Sequence, residues 1–253
     1  MQGEGCMSVS EESVDFDRTV GGQADGHAKV CCGAARLILF AVVIAMKTQL
    51  AKFLDDVSDY WFTKSDSDWF AGGRALDAEI QRRFGDRWRR FVAPLSQQSA
   101  WERLVNVCRE SKTPLRTVGA IVALDQFPRH IYRGADPEIT FALDPVALRL
   151  ARFCMAHWGA VRLARQNLRH FLFAAMPFQH AEDNEAQREG VAILNEVKSS
   201  IRDSPPLLQE MIRHQRGHAR VIRYWGYFPK RIPPQQRNER ERRYAARHPD
   251  RPY

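Results

Sequence analysis

The stretch Thr113 to Gly134, TPLRTVGAIVALDQFPRHIYRG, decides the fold of this chain. Thr113-Pro114 has the form of an N-cap followed by proline at the first helical position, where a missing N–H loses no intrahelical bond. Val118, Ile121, Val122 and Leu124 then leave the helix apolar on nearly all sides, and a helix without a wet face belongs at the centre of a helical assembly. It ends in a run of polar groups, Asp125, Gln126, Arg129, His130 and Arg133.

On either side the apolar residues keep helical spacing, and no stretch alternates as a strand would. Leu50, Phe53, Leu54, Val57, Tyr60 and Trp61 form one amphipathic segment; Leu76, Ile80 and Phe84 form a second that stops at Gly85; Trp101, Leu104, Val105 and Cys108 form a third. Downstream, Asp144-Pro145 repeats the cap-plus-proline signature and starts a helix ending near Gly159. Leu163 to Met176 forms another, which Pro177 interrupts or kinks. Val191 to Val197 follows, and Ser204-Pro205 opens a long final helix closed by Gly226. The expected fold is all-α, with about eight helices and the short links that antiparallel neighbours use.

The composition of the 253 residues, 44% apolar and 27% charged, is that of a packed domain. Five cysteines, Cys6, Cys31, Cys32, Cys108 and Cys154, form neither a disulfide framework nor a zinc site, so a reducing, cytoplasmic setting is the default. Residues 1–45 are expected to be a mobile or non-native leader, acidic at its start, with synthesis beginning naturally at Met46. Its apolar run Leu37–Met46 has ten residues against the roughly 20 that a bilayer requires. No integral membrane span is expected. The domain is placed at 46–230, and the Pro- and Arg-rich stretch 231–253 is read as a loosely held tail.

Three polar clusters could carry chemistry. In the first, the arginine forks of Arg129 and Arg133 beside Asp125 and Gln126 suit a carboxylate or phosphate; alternatively Asp125 pairs with one of them and fixes the turn. In the second, Phe178 to Asp183, His180 lies near Glu182 and Asp183 and could act as a base; alternatively the acids only face a helix start. The third contains His214 and His218, one helical turn apart, with Lys230 and Arg231 further on. No glutamate follows His214 as a metalloprotease helix requires, so no metal is assigned and His218 alone is expected to join the other clusters. No nucleotide, cofactor or nucleophile-elbow motif is present in the sequence, and no cofactor is expected. The arginines among Phe84, Trp88 and Phe91 are read as the wet faces of helices whose aromatics point inward.

Asp59-Tyr60-Trp61-Phe62, Phe84-Gly85, the LDQFPRHIYRG segment, Asp144-Pro145, Pro177 to Asp183, and His218 with Trp225 to Arg231 together resemble the domain of unknown function 924 family, over roughly Phe53 to Tyr244. The resemblance implies a degenerate tetratricopeptide-like right-handed superhelix, and it carries no established activity. It draws attention to Asp125, Gln126, Arg129, Arg133, His180, Glu182 and His218. The chain departs from the family pattern at Gln179, Lys230 and Ile232, where Glu, His and Asn are usual.

The leading functional expectation is a helical-repeat-like binding module that holds an anionic peptide end or small ligand through Arg129, Arg133 and Lys230. The alternative is a small-molecule enzyme in which His180 or His218 is the base, oriented by Asp125 or Glu182. Nucleic-acid binding follows from the net charge of +8 but has no motif behind it. A histidine within hydrogen-bond reach of a carboxylate in a cleft would favour the enzyme over the module.

Overall fold

The computed structural model describes the backbone of residues 25–71, 73–135, 137–202 and 205–249, with side chains from residue 40 onward except those of Phe70 and Ala71. Residues 1–24 of the expected leader, and Ser204, lie outside the described residues. The chain divides into two compact units, Met1–Ile44 and Ala45–Tyr253. In the first, the described residues from Asp25 onward are helical, and Phe40, Val42, Val43 and Ile44 are exposed. No described helix is long and apolar enough to cross a membrane.

All regular structure among the described residues is helical. The helices are α1 (Asp25–Trp61), α2 (Asp66–Ala71), α3 (Arg74–Val92), α4 (Gln98–Arg109), α5 (Leu115–Asp125), α6 (Phe127–Ile131) and α7 (Pro137–Phe141). They continue with α8 (Asp144–Trp158), α9 (Ala160–Gln166), α10 (Leu168–His180), α11 (Asn184–Ser200), α12 (Pro206–Trp225) and α13 (Glu239–Arg247). A short 3-10 turn, Pro229–Arg231, precedes α13. Helix covers all eight segments expected from the sequence, one of them broken in two at Asn167, and the other additional helices are short pieces between or after them.

Helix α5 is the centre. Every residue from Thr117 to Asp125 is buried, and α8 and α10 pack against it. Gly119 lets the backbone of α1 approach, because a Cβ there would strike the Leu54 carbonyl oxygen. Trp88 of α3 donates its indole N–H to the Ala123 carbonyl at 2.6 Å, so a buried polar atom is satisfied and α3 is tied to α5. Behind the C-terminal end of α5, Trp61 sits among Phe127, Phe173 and His130.

Several local expectations are corrected. Gly85 does not end α3, which continues to Val92 because Trp88 and Phe91 extend the buried stripe of Leu76, Ile80 and Phe84. The segment 163–176 is two helices, because Asn167 leaves helical geometry and caps α10 by accepting from the His170 N–H. Helix α10 passes through Pro177, which removes the donor for the Phe173 carbonyl, and ends at His180. Thr113 and Asp144 are not N-caps: Pro114 and Leu143 hold those positions, and the Asp144 side chain is used elsewhere. Among its described residues the tail carries a helix, α13. Asn238 and Glu241 close a capping box on α13, Tyr227 donates to Glu241 at 2.6 Å, and Tyr244 packs on Trp225.

Candidate functional site

At its C-terminal end α5 delivers Asp125, 1% exposed, to a buried cluster of charged and polar side chains. Burial pushes the Asp125 pKa up, but the Arg129 charge and then His180 outweigh it and hold the carboxyl well below the usual range. The carboxylate is thus ionised, and its partners are set by geometry. Nδ1 of His180 lies 2.7 Å from Oδ1, Arg129 Nη1 lies 3.5 Å from the same oxygen, and the Gln126 amide donates to Oδ2. An acceptor at Nδ1 requires that nitrogen to carry the proton, which leaves Nε2 as the second ring nitrogen. Among the described residues no protein group hydrogen-bonds Nε2.

Arg129 reaches on from Asp125 to Asp144, at 3.0 Å from Oδ2. On the other side of Asp144, Arg231 places Nη2 3.0 Å from Oδ2, and its Nη1 lies 3.7 Å from Glu182. The guanidinium of Arg231 stacks on Phe141 and Phe228, centred 4.1 and 4.7 Å from the rings. Glu182 Oε1 also accepts from the Phe228 N–H at 2.7 Å. The chain of charges therefore runs His180, Asp125, Arg129, Asp144, Arg231 and Glu182, and it ties α5, α6, α8, α10 and the Pro229–Arg231 turn together.

His218 of α12 completes the back of the cluster. Its ring lies edge-on to Phe228, 5.4 Å between centroids, and 6.4 Å from that of His180. Nδ1 donates to the His214 carbonyl at 2.8 Å. Burial, helped by His180 and Arg231 nearby and opposed by that carbonyl, pushes the His218 pKa down to about 3, so it is neutral at physiological pH. His214 instead faces Glu210, 3.0 Å away, so the two histidines clamp no common point.

Beside this cluster is an open cleft of about 590 Å³ whose wall includes Phe141, Asp144, Leu148, His180, Glu182 and Arg231. A smaller hollow of about 350 Å³ adjoins it across Glu138, Glu182 and Arg231. Of the residues singled out in the sequence, Asp125, Gln126, Arg129, His180, Glu182 and His218 converge in this cluster, and His180 and Glu182 among them reach the cleft wall. Arg133 does not: it pairs with Asp77, at 2.6 and 3.0 Å, beside a second buried histidine, His130, whose Nδ1 is 2.8 Å from that carboxylate. Lys230 turns to the carbonyls of His248 and Pro249. Gln179 faces the α12 residue Met211, away from the cleft.

Two members of the charged cluster, Asp144 and Arg231, were not among the candidate site residues of the sequence. Asp144 looked like a cap because Asp-Pro at a helix start ordinarily is one, and Arg231 fell just inside the supposed tail. Its proximity to Lys230 and the aromatic run was the available signal. Asp183, by contrast, is the helix-start acid considered in the sequence: it caps α11 by accepting from the Ala186 N–H at 2.7 Å.

Fold and site together define a class: an all-helical domain with a buried ionic cluster that fixes one histidine on the wall of a cleft. The chain belongs to the family described as bacterial protein of unknown function, DUF924, whose profile matches residues 57–246. A solved structure of a protein of unknown function from Agrobacterium tumefaciens is similar in fold, with a TM-score of 0.59 and 24% identity over 78% of this chain and 98% of that one. No curated protein matches the chain.

Proposed function

We propose that the cleft is a small-molecule site in which the Asp125–His180 pair moves a proton to or from the bound ligand. One observation carries this: Nδ1 of a cleft-wall histidine is held 2.7 Å from a carboxylate that is itself 1% exposed. An ionised, immobile Asp125 fixes the tautomer and orientation of His180 and directs Nε2 to the ligand as the acceptor. General bases so placed contribute about 10²–10⁴-fold to rate.

The charges in the cleft decide what the ligand carries. Arg129 and Arg231 are both committed to Asp144, Arg133 to Asp77, and Lys230 to backbone carbonyls. The cations expected to grip an anion thus have intramolecular partners, and among the described residues of the cleft wall the carboxylates of Glu138, Asp144, Glu182 and Asp183 outnumber the one guanidinium, that of Arg231. A neutral or cationic ligand with an O–H or N–H group suits such a wall, with its apolar part on Phe141 and Leu148. Nucleic-acid binding gains no support from α3, whose Phe84, Trp88 and Phe91 are buried and whose Arg87 and Arg89 pair with Asp56 and Asp86.

A thermal-shift panel of amines, alcohols, phenols, carboxylates and phosphates on the full chain tests this. Amines or hydroxyl compounds should raise the Tm of the parent, by the equivalent of about 2.7 kcal/mol at a hundredfold excess over Kd, and His180→Ala should weaken the effect. Stabilisation by carboxylates or phosphates only, or equal stabilisation of the variant, would contradict it.

A further inference from the structure

Helix α10 ends at His180, so the last carbonyls of the helix have no following turn to bond. The carbonyls of Gln179, His180 and Ala181 are nonetheless all bonded, each by a side chain. Gln187 of α11 donates one amide group to both neighbours of His180, to the Gln179 carbonyl at 2.8 Å and to the Ala181 carbonyl at 2.8 Å. Arg231 donates to the carbonyl of His180 itself at 2.9 Å. The backbone that carries the histidine is therefore gripped on three consecutive residues.

The grip has a second layer. Gln187 is 1% exposed, and its amide oxygen accepts from Gln215 Nε2 of α12 at 2.7 Å. That bond sets which end of the Gln187 amide is the donor, and so which end faces the carbonyls. Gln215, also 1% exposed, keeps an oxygen with no hydrogen-bond partner among the described residues, an arrangement that costs stability. Gly190 makes room for it: a Cβ there would lie 2.7 Å from Phe178 Cβ and 2.8 Å from Gln215 Oε1. Three residues of α11 and α12 thus serve one short stretch of backbone beside the cleft.

We infer that Gln187, oriented by Gln215, is a positioning residue for His180. This rests on the assignment of His180 as the proton-transferring group. A bond of 2.7 Å to Asp125 fixes the ring only if the backbone beneath it stays fixed, and functional groups tolerate displacements of only about 0.5 Å. Apolar packing around Phe178 could hold the helix, but only directed donors fix the rotation of peptides 179 to 181. Gln187 touches neither cleft nor ligand and acts solely through the histidine.

The test is nitrogen-edited NMR of the imidazoles in the full chain, parent against Gln187→Leu. In the parent, His180 and His130 should each give a protected Nδ1–H signal, because each is bonded to a buried or half-buried carboxylate, Asp125 and Asp77, at 2.7 and 2.8 Å. Gln187→Leu should abolish or exchange-broaden the His180 signal and leave that of His130 in place. Retention of both signals with only a lower Tm would overturn the proposal, since a merely structural glutamine would act that way. If Gln187→Leu does not fold, Gln187→Met gives the same two-way result, because it keeps the length of the side chain but has no donor for the carbonyls. The ligand panel fails separately: a parent that binds nothing in it removes the function proposed for the cleft and leaves this NMR comparison intact.

Discussion

Asp125→Ala is expected to destabilise the protein by about 3–5 kcal/mol, the usual cost of removing one partner from a buried charged cluster. The carboxylate is 1% exposed and serves His180, Arg129 and Gln126 at once. Its loss strands a guanidinium that is only 19% exposed and an amide that had donated to it. Arg129 retains Asp144, which keeps the cost near the lower end of that range. An exposed pair gives the contrast: Arg89→Ala, which breaks the bridge to Asp86, should cost no more than about 1 kcal/mol. Urea denaturation of both variants measures the difference. A loss for Asp125→Ala no larger than that for Arg89→Ala would mean that the cluster is not integral to the fold.

The second large effect is acid sensitivity that begins well above the carboxylate range. His218 has its folded pKa pushed down to about 3 from 6.5. Below the unfolded value the unfolded chain binds a proton that the folded protein refuses. Stability therefore falls as pH drops from about 6.5 toward 3, by up to about 1.4 kcal/mol per pH unit for one such group. Burial lowers His130 and His170 in the same direction. Asp125 acts lower down: its folded pKa is depressed, so its contribution is complete above the ordinary carboxylate value of 3.8 and is lost only as pH falls through the folded one. The slope between about pH 6.5 and 5 thus belongs to the histidines, because the carboxylates whose folded pKa is lowered, Glu79 and Glu210 among them, add theirs only around and below the ordinary value of 4.5. Denaturation at a series of pH values should show it, and His218→Leu should flatten it by close to one proton. An unchanged slope in the variant would contradict a buried neutral His218.

How much of this could be read from the sequence depends on whether the information was local. The central helix declared itself because Val118 to Leu124 has no wet face, and burial of every residue from Thr117 to Asp125 follows directly. Asp125 and His180 stood out as polar groups at or near the ends of apolar helices, and His218 as one of a histidine pair inside the last long helix. That His180 meets Asp125, 55 residues earlier, or that Arg231 meets His180, 51 residues earlier, is written in no local pattern. Arg133 and Lys230 were natural candidates by proximity in sequence, but the turn after α6 sends Arg133 toward α3, and the segment after α13 claims Lys230. Asp144 and Gly85 show local grammar overridden by packing: an Asp-Pro pair serves two arginines, and a glycine sits inside a helix whose buried stripe continues past it. Gln187 and Gln215 gave no signal, since a glutamine inside an amphipathic helix is ordinarily a surface residue.

The most direct measurement is the nitrogen chemical shifts of the His180 ring above the ordinary imidazole titration range, in the parent and in Asp125→Asn. If Asp125 fixes His180 for proton transfer, the parent should show a single tautomer, with Nδ1 protonated and Nε2 bare, and the asparagine variant should lose that preference. A parent with Nε2 protonated, or with two tautomers exchanging as they do in free histidine, would contradict the role assigned to the pair.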